Sequence, residues 1–385
     1  MKSFVVLAPQ TAASLAPALR QRATLHGTQV DFALVEQRDA DFDAQDPKHA
    51  HSVLVQVRAF SCNYREKARF LDIAQKPAGK GYLVLGSEFA GTVLKTGPAV
   101  HHLRVGDRVC GNGSVEPGQD QPGLTTQRAS SERQVHHQDK LFRLPDSMSL
   151  VEGAAFSIGA QTAYSMVRRL PAEGMQHVAI TAAASNTSLF AIRALLARGC
   201  QVHALTTSAS LEPHLRKLGV QHCCVLGRDG SYPHLLQNHL ANLGLSGFDA
   251  VLDPFSDIYL RKLLPFVRRF GSYVTCGVYQ QFAEQQPDAF VHEGLTVAEV
   301  FSLLIRKSIS LVGNNLGTTA DLEQAVADYA AGRLHINLDT VVTDGDLGRF
   351  IERSYLAPDR LGKVVFDYGE PAATPRPAQQ EAALA

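Results

Sequence analysis

The chain has 385 residues, more than one ordinary hydrophobic core supports, so two domains are expected. Hydrophobic residues make up 45% and charged residues 19%, which is typical of a folded globular protein and excludes a disordered one. Lys plus Arg and Asp plus Glu both number 37, and this balance argues against a general nucleic-acid binder. No apolar run approaches the roughly 18 residues of a membrane helix, so we expect no membrane partner.

The amino terminus and the cysteines both indicate a cytoplasmic protein. The first residues, MKSFVVLAPQ, contain an apolar run that is too short for a secretory signal. The six cysteines include no C-x-x-C pair, and the two that lie close together, Cys223 and Cys224, are adjacent. We therefore expect reduced thiols in a cytoplasmic protein.

Residues 1–150 are predicted to form a β-rich domain. Short β-type runs punctuated by Gly and Pro are typical of a small sheet or barrel. They lie at residues 4–7, 32–35, 53–57, 89–94 and 108–110. The segment 111–127 has no periodicity and is rich in Gly, Pro and Gln, so we interpret it as a surface loop.

Residues 151–334 are predicted to form a doubly wound α/β domain. Strand-type runs lie at 178–181, 201–205, 223–226, 250–252, 273–276 and 308–312. Helical patterns alternate with them at 188–198, 211–218, 259–270, 297–305 and 319–331, two of them ending at a Gly. This alternation indicates a parallel sheet covered by helices.

The end of the chain is predicted to return to the first domain. Residues 361–368 read as a last strand, so that residues 335–369 complete the β-rich domain. The Pro-, Ala- and Gln-rich segment 370–385 is predicted to be a disordered tail.

Five short motifs occur in one order along the chain. They are AFSCNYRE at 59–66, GSEFAG at 86–91, VGDRV at 105–109, LPD at 144–146 and AAFSIGAQTAY at 154–164. Together they resemble the medium-chain dehydrogenase/reductase superfamily, in particular its zinc-lacking quinone oxidoreductase and enoyl reductase branches. The resemblance implies a GroES-like β-rich domain, a Rossmann domain, NADPH-dependent hydride transfer and a homodimer.

The resemblance also bears on zinc. Zinc-dependent members of the superfamily supply a Cys, the His of GHE and a later Cys or Asp, which suit Zn²⁺. Here Asn63 stands at the Cys position and Ser87 at the His position, while Cys62 is expected on the opposite side of its strand. The adjacent histidines at 101–102 and 136–137 are more typical of exposed loops than of metal ligands. We therefore predict no metal.

The predicted phosphate-binding loop departs from the glycine-rich pattern. Relatives read GAAGGVG, whereas residues 182–188 read AAASNTS, so that Ala182, Ser185 and Ser188 replace the three glycines. The replacements are small, and the side chains of Ser185, Asn186, Thr187 and Ser188 can bind phosphate oxygens or cap the helix. The favoured interpretation is a nucleotide site, and the alternative is a helix start in a domain that has lost its cofactor.

The choice of nicotinamide cofactor depends on the end of the second strand. Asp or Glu at that point holds the ribose 2′-hydroxyl of NAD, whereas this chain has Thr207 and Ser208, which favour NADPH. Many NADPH-binding relatives carry a Lys where this chain has Leu211. Arg216, His214 or Lys217 is the candidate replacement, and a solvated helix face is the alternative interpretation of these three residues.

Other cofactor contacts follow from the resemblance. It implies that residues of both domains line the nicotinamide: Thr162, Gly277, Val278 and Asn315 from the second domain, and Asn63 and Tyr64 from the first.

The predicted chemistry is conjugate reduction. Without zinc there is no Lewis acid to polarise a simple ketone, but hydride can add to an alkene conjugated to a carbonyl if a donor stabilises the enolate. Tyr64 is the first candidate for this donor or acid and Tyr82 the second, and Arg65 is a candidate for binding a carboxylate or the enolate. Packing is the alternative role for Tyr64 and structural contacts for Arg65, and Glu88 is expected to be structural.

The sequence does not select the substrate. Enones, quinones, enoyl thioesters and dehydroamino acids within a peptide are all compatible, and the segments 111–133 and 282–301 are expected to shape the pocket. Two other functions stay open, namely a zinc-independent carbonyl or alcohol oxidoreductase and a catalytically silent nucleotide-binding protein with a partner role.

Overall fold

The structure is a computed structural model that describes residues 1–76, 79–119, 121–227, 231–278, 294–343 and 345–369. The predicted tail 370–385 and most of the segment 282–301 lie outside the described residues. Within the described ranges, no helix is both long and apolar enough to span a bilayer.

The first domain is β-rich, as predicted from its short apolar runs. Its strands are β1 (Lys2–Leu7), β2 (Gln21–Leu25), β3 (Thr28–Glu36), β4 (Ser52–Ser61), β5 (Tyr82–Val84), β6 (Glu88–Thr96), β7 (Arg108–Gly111), β8 (Arg133–His137) and β9 (Leu141–Arg143). Its helices are α1 (Pro9–Ser14), α2 (Tyr64–Ala74) and α3 (Leu150–Gly153). The AFSCNYRE motif spans the end of β4 and the start of α2, and this helix is absent from the elements predicted from the sequence.

The second domain alternates strands and helices. Its strands are β10 (His177–Ile180), β11 (Gln201–Thr206), β12 (His222–Val225), β13 (Phe248–Asp253), β14 (Val267–Thr275) and β15 (Ser310–Gly313). Its helices are α4 (Ser157–Arg168), α5 (Asn186–Ala197), α6 (Glu212–Lys217), α7 (Tyr232–Asn242), α8 (Ser256–Leu263), α9 (Val297–Lys307) and α10 (Thr319–Ala330). The chain then forms β16 (Leu338–Val342), α11 (Leu347–Tyr355) and β17 (Lys363–Asp367).

The sheet of the second domain is parallel, with the order β12-β11-β10-β13-β14-β15. The first strand along the chain, β10, lies in the middle, and the order reverses on either side of it. This confirms the prediction of a doubly wound fold, in which ligands bind outside the carboxyl ends of the strands next to the point of reversal.

The last strand joins the end of the chain to the first domain. β17 pairs antiparallel with β4, placing Phe366 opposite Phe60, and pairs parallel with β16. The rings of Phe4, Phe60 and Phe366 pack with centroid separations of 4.5 to 5.9 Å, and all three are buried. Burial of three aromatic rings makes this junction a core of the first domain.

The helix predicted at 259–270 is wrong at its carboxyl end. The helix α8 ends at Leu263, and β14 begins at Val267 and continues through Gly271. Pro265 contributes to the difference, because it has no amide hydrogen to donate to the Arg261 carbonyl oxygen, and the chain passes through a 3₁₀ turn at Leu264–Phe266 before β14. A side chain at Gly271 would lie 2.8 Å from the Asp249 carbonyl oxygen, so this glycine permits close strand packing.

Candidate active site

A buried carboxylate fixes the carboxyl edge of the parallel sheet. Asp253, at the end of β13, accepts hydrogen bonds from the Thr181 hydroxyl at 2.6 Å and the Tyr273 hydroxyl at 2.7 Å. Burial raises the pKa of Asp253 to about 6, against the effect of these donors. Because Thr181 follows β10 and Tyr273 lies on β14, the three neighbouring strands are held together below the crevice between the domains.

The loop before α5 keeps the tight turn of a phosphate-binding loop without its glycine. Ala182 has φ +43°, a left-handed conformation that costs a residue with a Cβ about 1–2 kcal/mol. The Ser185 hydroxyl accepts from the Ser188 amide and donates to the Ser188 hydroxyl, which in turn donates to the Thr181 carbonyl oxygen at 2.8 Å. Both serine hydroxyls therefore stabilise the loop and are not directed at a ligand.

Two other side chains of the loop remain available. The Asn186 amide donates to the Ala155 carbonyl oxygen at 2.7 Å, and its buried Oδ1 has no hydrogen-bond partner among the described residues. The Thr187 hydroxyl, half-buried in the first turn of α5, has no described hydrogen bond either. The first amides of a helix also have no partner within the helix, so this end of α5 suits an anionic group.

The segment before β17 passes over this loop. The Gly362 amide donates to the Ala184 carbonyl oxygen at 2.9 Å. A side chain at Gly362 would lie 2.1 Å from the Asn337 carbonyl oxygen, and its φ of +90° also favours glycine. Two residues earlier, Arg360 is half-buried, and burial lowers its pKa.

Arg360 is a cation of the crevice that sequence analysis missed. Asp339, Tyr64 and Tyr355 are close enough to raise its pKa, opposing the effect of burial. Among the described residues, no hydrogen bond or ion pair engages its guanidinium group. A partly buried guanidinium without a described partner, two residues before the Gly362 contact with the loop 182–188, suits a phosphate.

The position expected of zinc ligands holds a hydrogen-bonded network instead. The side-chain amide of Asn63 donates to the Ser87 hydroxyl at 3.1 Å and to the Glu88 carboxylate at 3.3 Å. The Lys363 ammonium donates to the Asn63 Oδ1 at 2.6 Å and forms an ion pair with Glu88 at 2.9 Å. Burial raises the pKa of the nearby Cys62 thiol far above its usual range, so it is not a thiolate at neutral pH.

Tyr64 begins α2 and contacts a lysine on the same face of the helix. The Lys67 ammonium donates to the Tyr64 hydroxyl at 2.7 Å. Burial lowers the pKa of Lys67 to about 8, with Asp257 opposing the shift. The Tyr64 ring packs against Phe255 from the second domain at a centroid distance of 5.1 Å, so Tyr64 lies where the domains meet.

Lys67 was not identified from the sequence. The signal was its position three residues after Tyr64 in the run NYREK, which places both side chains on one face once the run is helical. Arg65, one residue after Tyr64, is half-buried. Burial raises the pKa of Glu66, and Arg65 is one of the groups that oppose this shift, together with the Asn63 backbone amide that donates to the Glu66 carboxylate. This contact fits the structural role weighed for Arg65.

Tyr82 lies in a different environment. It is on β5 at the edge of the first sheet, 47% exposed, and its hydroxyl accepts from Gln37 at 3.0 Å. Within the described part of the chain, no contact of Tyr82 joins it to the Tyr64–Lys67 pair. The structure therefore does not place Tyr82, the second candidate acid, in contact with Tyr64, the first.

The predicted nicotinamide contacts of the second domain lie on three segments of the chain. Thr162 is buried on α4, Gly277 follows β14 with Val278 exposed beside it, and Asn315 is exposed. The neighbouring Asn314 is the residue that shapes its loop: it accepts from Ser165 at 2.8 Å and donates to the Leu316 carbonyl oxygen at 2.7 Å. The buried hydroxyl of Thr275, at the end of β14, has no partner among the described residues.

The residues predicted to select NADPH divide into two groups. Thr207 is exposed and Ser208 shares a hydrogen bond with Ser210 at 2.9 Å after β11. Arg216 is instead paired with Glu212 at 2.7 Å on the exposed face of α6. This is the solvated helix face that the sequence left open, because a cation already paired in this way is a weak phosphate ligand.

A cleft of about 630 Å³ runs beside this strand end. It lies between the start of α6 and the returning segment, and its polar lining includes Ser210, His214, Asn337, Asp339 and Arg353. Asp339 and Arg353 are joined by two hydrogen bonds at 2.6 and 2.8 Å, so they form a fixed wall. The cleft therefore lies beyond the carboxyl end of β11.

Comparison with known proteins shows which domain family and which solved structures this chain is similar to. Residues 49–168 match the alcohol dehydrogenase GroES-like domain. The structure of an NAD-dependent alcohol dehydrogenase superposes with a TM-score of 0.72 at 18% identity, covering 96% of this chain and 100% of the other. A 2-octenoyl-CoA carboxylase reductase, in complex with NADP and 2-octenoyl-CoA, has a TM-score of 0.70 at 19% identity and covers 97% and 89%.

Sequence relatives agree with this class. A zinc-type alcohol dehydrogenase-like protein of Schizosaccharomyces pombe is 29% identical over 233 residues, 59% of this chain and 63% of that protein. A highly reducing polyketide synthase of Didymella fabae is 26% identical over 244 residues, which are 62% of this chain but 12% of the synthase. The matches thus span less than two thirds of these relatives' own lengths. The chain is therefore similar to oxidoreductases of the medium-chain dehydrogenase/reductase type: residues 49–168 match their GroES-like domain, and the whole described chain shares their fold.

We predict that the buried ion pair is indispensable to stability. Glu88→Gln and Lys363→Met each leave one buried charge unpaired, and each is expected to lower the free energy of unfolding by about 3–5 kcal/mol in urea titrations. The double variant is expected to lose less than the sum of the two. As a control, the exposed pair Lys76–Asp72, which is slightly shorter at 2.7 Å, should lose less than about 1 kcal/mol on Lys76→Met. Additive losses at Glu88 and Lys363 would show that the two do not stabilise each other.

Proposed function

We propose that the protein is an NADPH-dependent reductase that adds hydride to an activated carbon–carbon double bond without a catalytic metal. The network of Asn63, Ser87, Glu88 and Lys363 is the observation that carries this proposal. An amide and a hydroxyl replace the soft ligands that zinc prefers, and the Lys363 ammonium, 2.9 Å from Glu88, repels a cation there.

The crevice fits a dinucleotide. The first amides of α5, the Thr187 hydroxyl and the Arg360 guanidinium would hold its phosphates, and Gly277 would let the backbone approach the nicotinamide. A side chain at Gly277 would lie 2.5 Å from the Pro254 carbonyl oxygen, so this position admits only glycine. The unpartnered Thr275 hydroxyl is a further group for the same end of the cofactor. When bound, the cofactor supplies the hydride.

NADPH is proposed over NADH because no acid follows β11. Ser208 and Ser210 offer hydroxyls at this point, and His214 lines the adjoining cleft. A 2′-phosphate accepts hydrogen bonds from such groups, whereas a carboxylate would repel it. The resemblance to a reductase that binds NADP and 2-octenoyl-CoA supports both the cofactor and the class of substrate.

Tyr64 and Lys67 are proposed as the proton-transfer pair. Lys67 donates to the Tyr64 oxygen, and the Tyr64 hydroxyl would donate its hydrogen to the carbonyl oxygen of the substrate as charge develops there. The ammonium group 2.7 Å away also favours loss of that hydrogen, because a nearby cation stabilises a phenolate. Tyr64 can therefore act as the enolate donor or as the acid for the α-carbon.

A homodimer is proposed through the edge strand β15. The neighbouring helix α9 exposes Val297, Phe301 and Ile305 at spacings of four residues, each more than half exposed, and Leu311 on β15 is 40% exposed. An apolar stripe beside a strand edge that no described strand pairs with fits a second copy of the chain. Sedimentation should show a dimer that Phe301→Asp with Ile305→Asp converts to monomer, while Leu356→Asp, at an exposed leucine on α11's end, leaves it intact. A wild-type monomer would end this proposal.

The cofactor is tested by nicotinamide fluorescence. NADPH is expected to bind more tightly than NADH, and Arg360→Ala should weaken NADPH binding at least about 10-fold, the loss expected for one charged hydrogen bond. Arg104→Ala, at an exposed arginine of the first domain, is the control and should not change it. If neither nucleotide binds, the loop 182–188 has lost its role and a catalytically silent protein becomes the better interpretation.

The chemistry is tested on an enone, a quinone and an enoyl thioester with NADPH. Tyr64→Phe should lower kcat by about 10²-fold or more and leave NADPH affinity unchanged. Turnover should fall as pH rises through about 8, where Lys67 loses its proton, and Lys67→Met should remove this limb. Chelation should not alter turnover.

Two outcomes would redirect the assignment. A larger loss from Tyr82→Phe than from Tyr64→Phe would transfer the role to Tyr82. Alcohol oxidation with NADP⁺, without reduction of any of the three alkenes, would favour the carbonyl or alcohol oxidoreductase instead.

A further inference from the structure

Four histidines meet at the edge of the parallel sheet opposite the crevice. His177 begins β10, His203 lies on β11, His222 begins β12, and His239 is in the last turns of α7. His203 and His222 are directly paired across the two parallel strands. The crevice lies at the carboxyl ends of the same strands, so the cluster is separate from the proposed active site.

The ring nitrogens of three of these histidines converge. One ring nitrogen each of His203, His222 and His239 lies within 4.8 Å of the other two. His203 Nδ1 and His239 Nε2 are 2.8 Å apart. Nitrogens bound to one tetrahedral Zn²⁺ are about 3.3 Å apart, so movements of less than about 1.5 Å would close the three onto an ion.

His203 is oriented by the fourth histidine. Its Nε2 is 3.1 Å from His177 Nδ1, on the far side of the ring from His239. A ligating histidine commonly bonds a second group through its other ring nitrogen, which fixes its tautomer. His177 occupies that position, and the Phe248 ring 5.1 Å from His203 limits its movement from another side.

The donor type of the cluster suits a cation. His203 is fully buried, and His222 and His239 are half-buried. The neutral imidazole nitrogen of histidine is the commonest protein ligand of transition-metal ions, and three such nitrogens in one cluster are a typical donor set for Zn²⁺.

Hydrogen bonds alone do not account for all four rings. A chain from His177 through His203 to His239 uses both nitrogens of His203, but His222 has no described hydrogen bond and makes only ring contacts, with His203 at 4.5 Å and His239 at 5.5 Å. His222 and His239 are half-buried, so both have a path to solvent. The ring nitrogen of His222 is therefore available to bind an ion.

We propose that His203, His222 and His239 bind one Zn²⁺, or a similar transition-metal ion that favours imidazole, with His177 as the positioning residue. Water completes the coordination on the half-exposed side. Such an ion would join β11, β12 and α7 and stabilise the nucleotide-binding domain. The site is independent of the reductase chemistry proposed above.

Titration of chelator-treated, untagged full-length protein with ZnCl₂ tests the site. Calorimetry is expected to show one ion per chain, and the midpoint of thermal unfolding should rise as Zn²⁺ is added. His222→Gln with His239→Gln should weaken binding at least 100-fold, and His177→Gln about 10–100-fold. The matched control removes the exposed pair, His101→Gln with His102→Gln, and should bind as the wild type does.

A second measurement needs no variant. In wild-type protein labelled with ¹⁵N at histidine, Zn²⁺ should shift the imidazole resonances of this cluster, and Co²⁺ should give a tetrahedral absorption spectrum. Binding that persists in the His222/His239 variant, or no bound ion in the wild type, would overturn the proposal. NADPH affinity should be the same with and without Zn²⁺, so failure of this site and failure of the reductase are distinguishable.

Discussion

The structure depends on a buried ion pair between Glu88 and Lys363. The two residues lie 275 positions apart, one on β6 and one at the start of β17, and their side chains are almost fully buried. Glu88 also accepts from the Ile158 amide at 2.8 Å near the start of α4. A single carboxylate thus joins the first sheet, the returning strand and the first helix of the second domain, and breaking one contact leaves a charge without water.

The same pair determines what the crevice can do. Lys363 holds Asn63, and Asn63 precedes α2, so the position of Tyr64 and Lys67 follows from it. The Tyr355 hydroxyl donates to the Asn63 carbonyl oxygen at 3.0 Å and adds support from α11. At the position where zinc-dependent members of the superfamily are expected to bind zinc, this chain has the Lys363 ammonium group, which is hydrogen-bonded to Asn63 and paired with Glu88.

The two edges of the parallel sheet carry different chemistry. At the carboxyl edge, Asp253 fixes three strand ends below the crevice, and the backbone of the loop 182–188 retains its turn although Ala182 is strained. At the amino edge, histidines from three strands and one helix converge because parallel strands begin side by side. The sequence motifs for zinc concern the first domain, whereas this histidine cluster lies in the second domain.

The sequence by itself determined the class of fold, because short apolar runs and strand–helix alternation report local burial. It also determined which groups are absent: Asn63 and Ser87 replace soft ligands, and no acid follows β11. It failed at residues 267–270, which belong to β14 although the apolar pattern would continue a helix, and it did not find α2.

Only the tertiary structure decided which side chains meet. Lys67 reaches Tyr64 because the run after Asn63 is helical, and Arg360 reaches the crevice because the last segment crosses back over the loop before α5. Arg216 is removed from the list of phosphate ligands by its pairing with Glu212. His203, His222 and His239 are spread over 37 residues and carry no motif, since their nearness arises from strand register. Spacing along a chain reports local periodicity, whereas contacts between distant residues depend on how the elements pack.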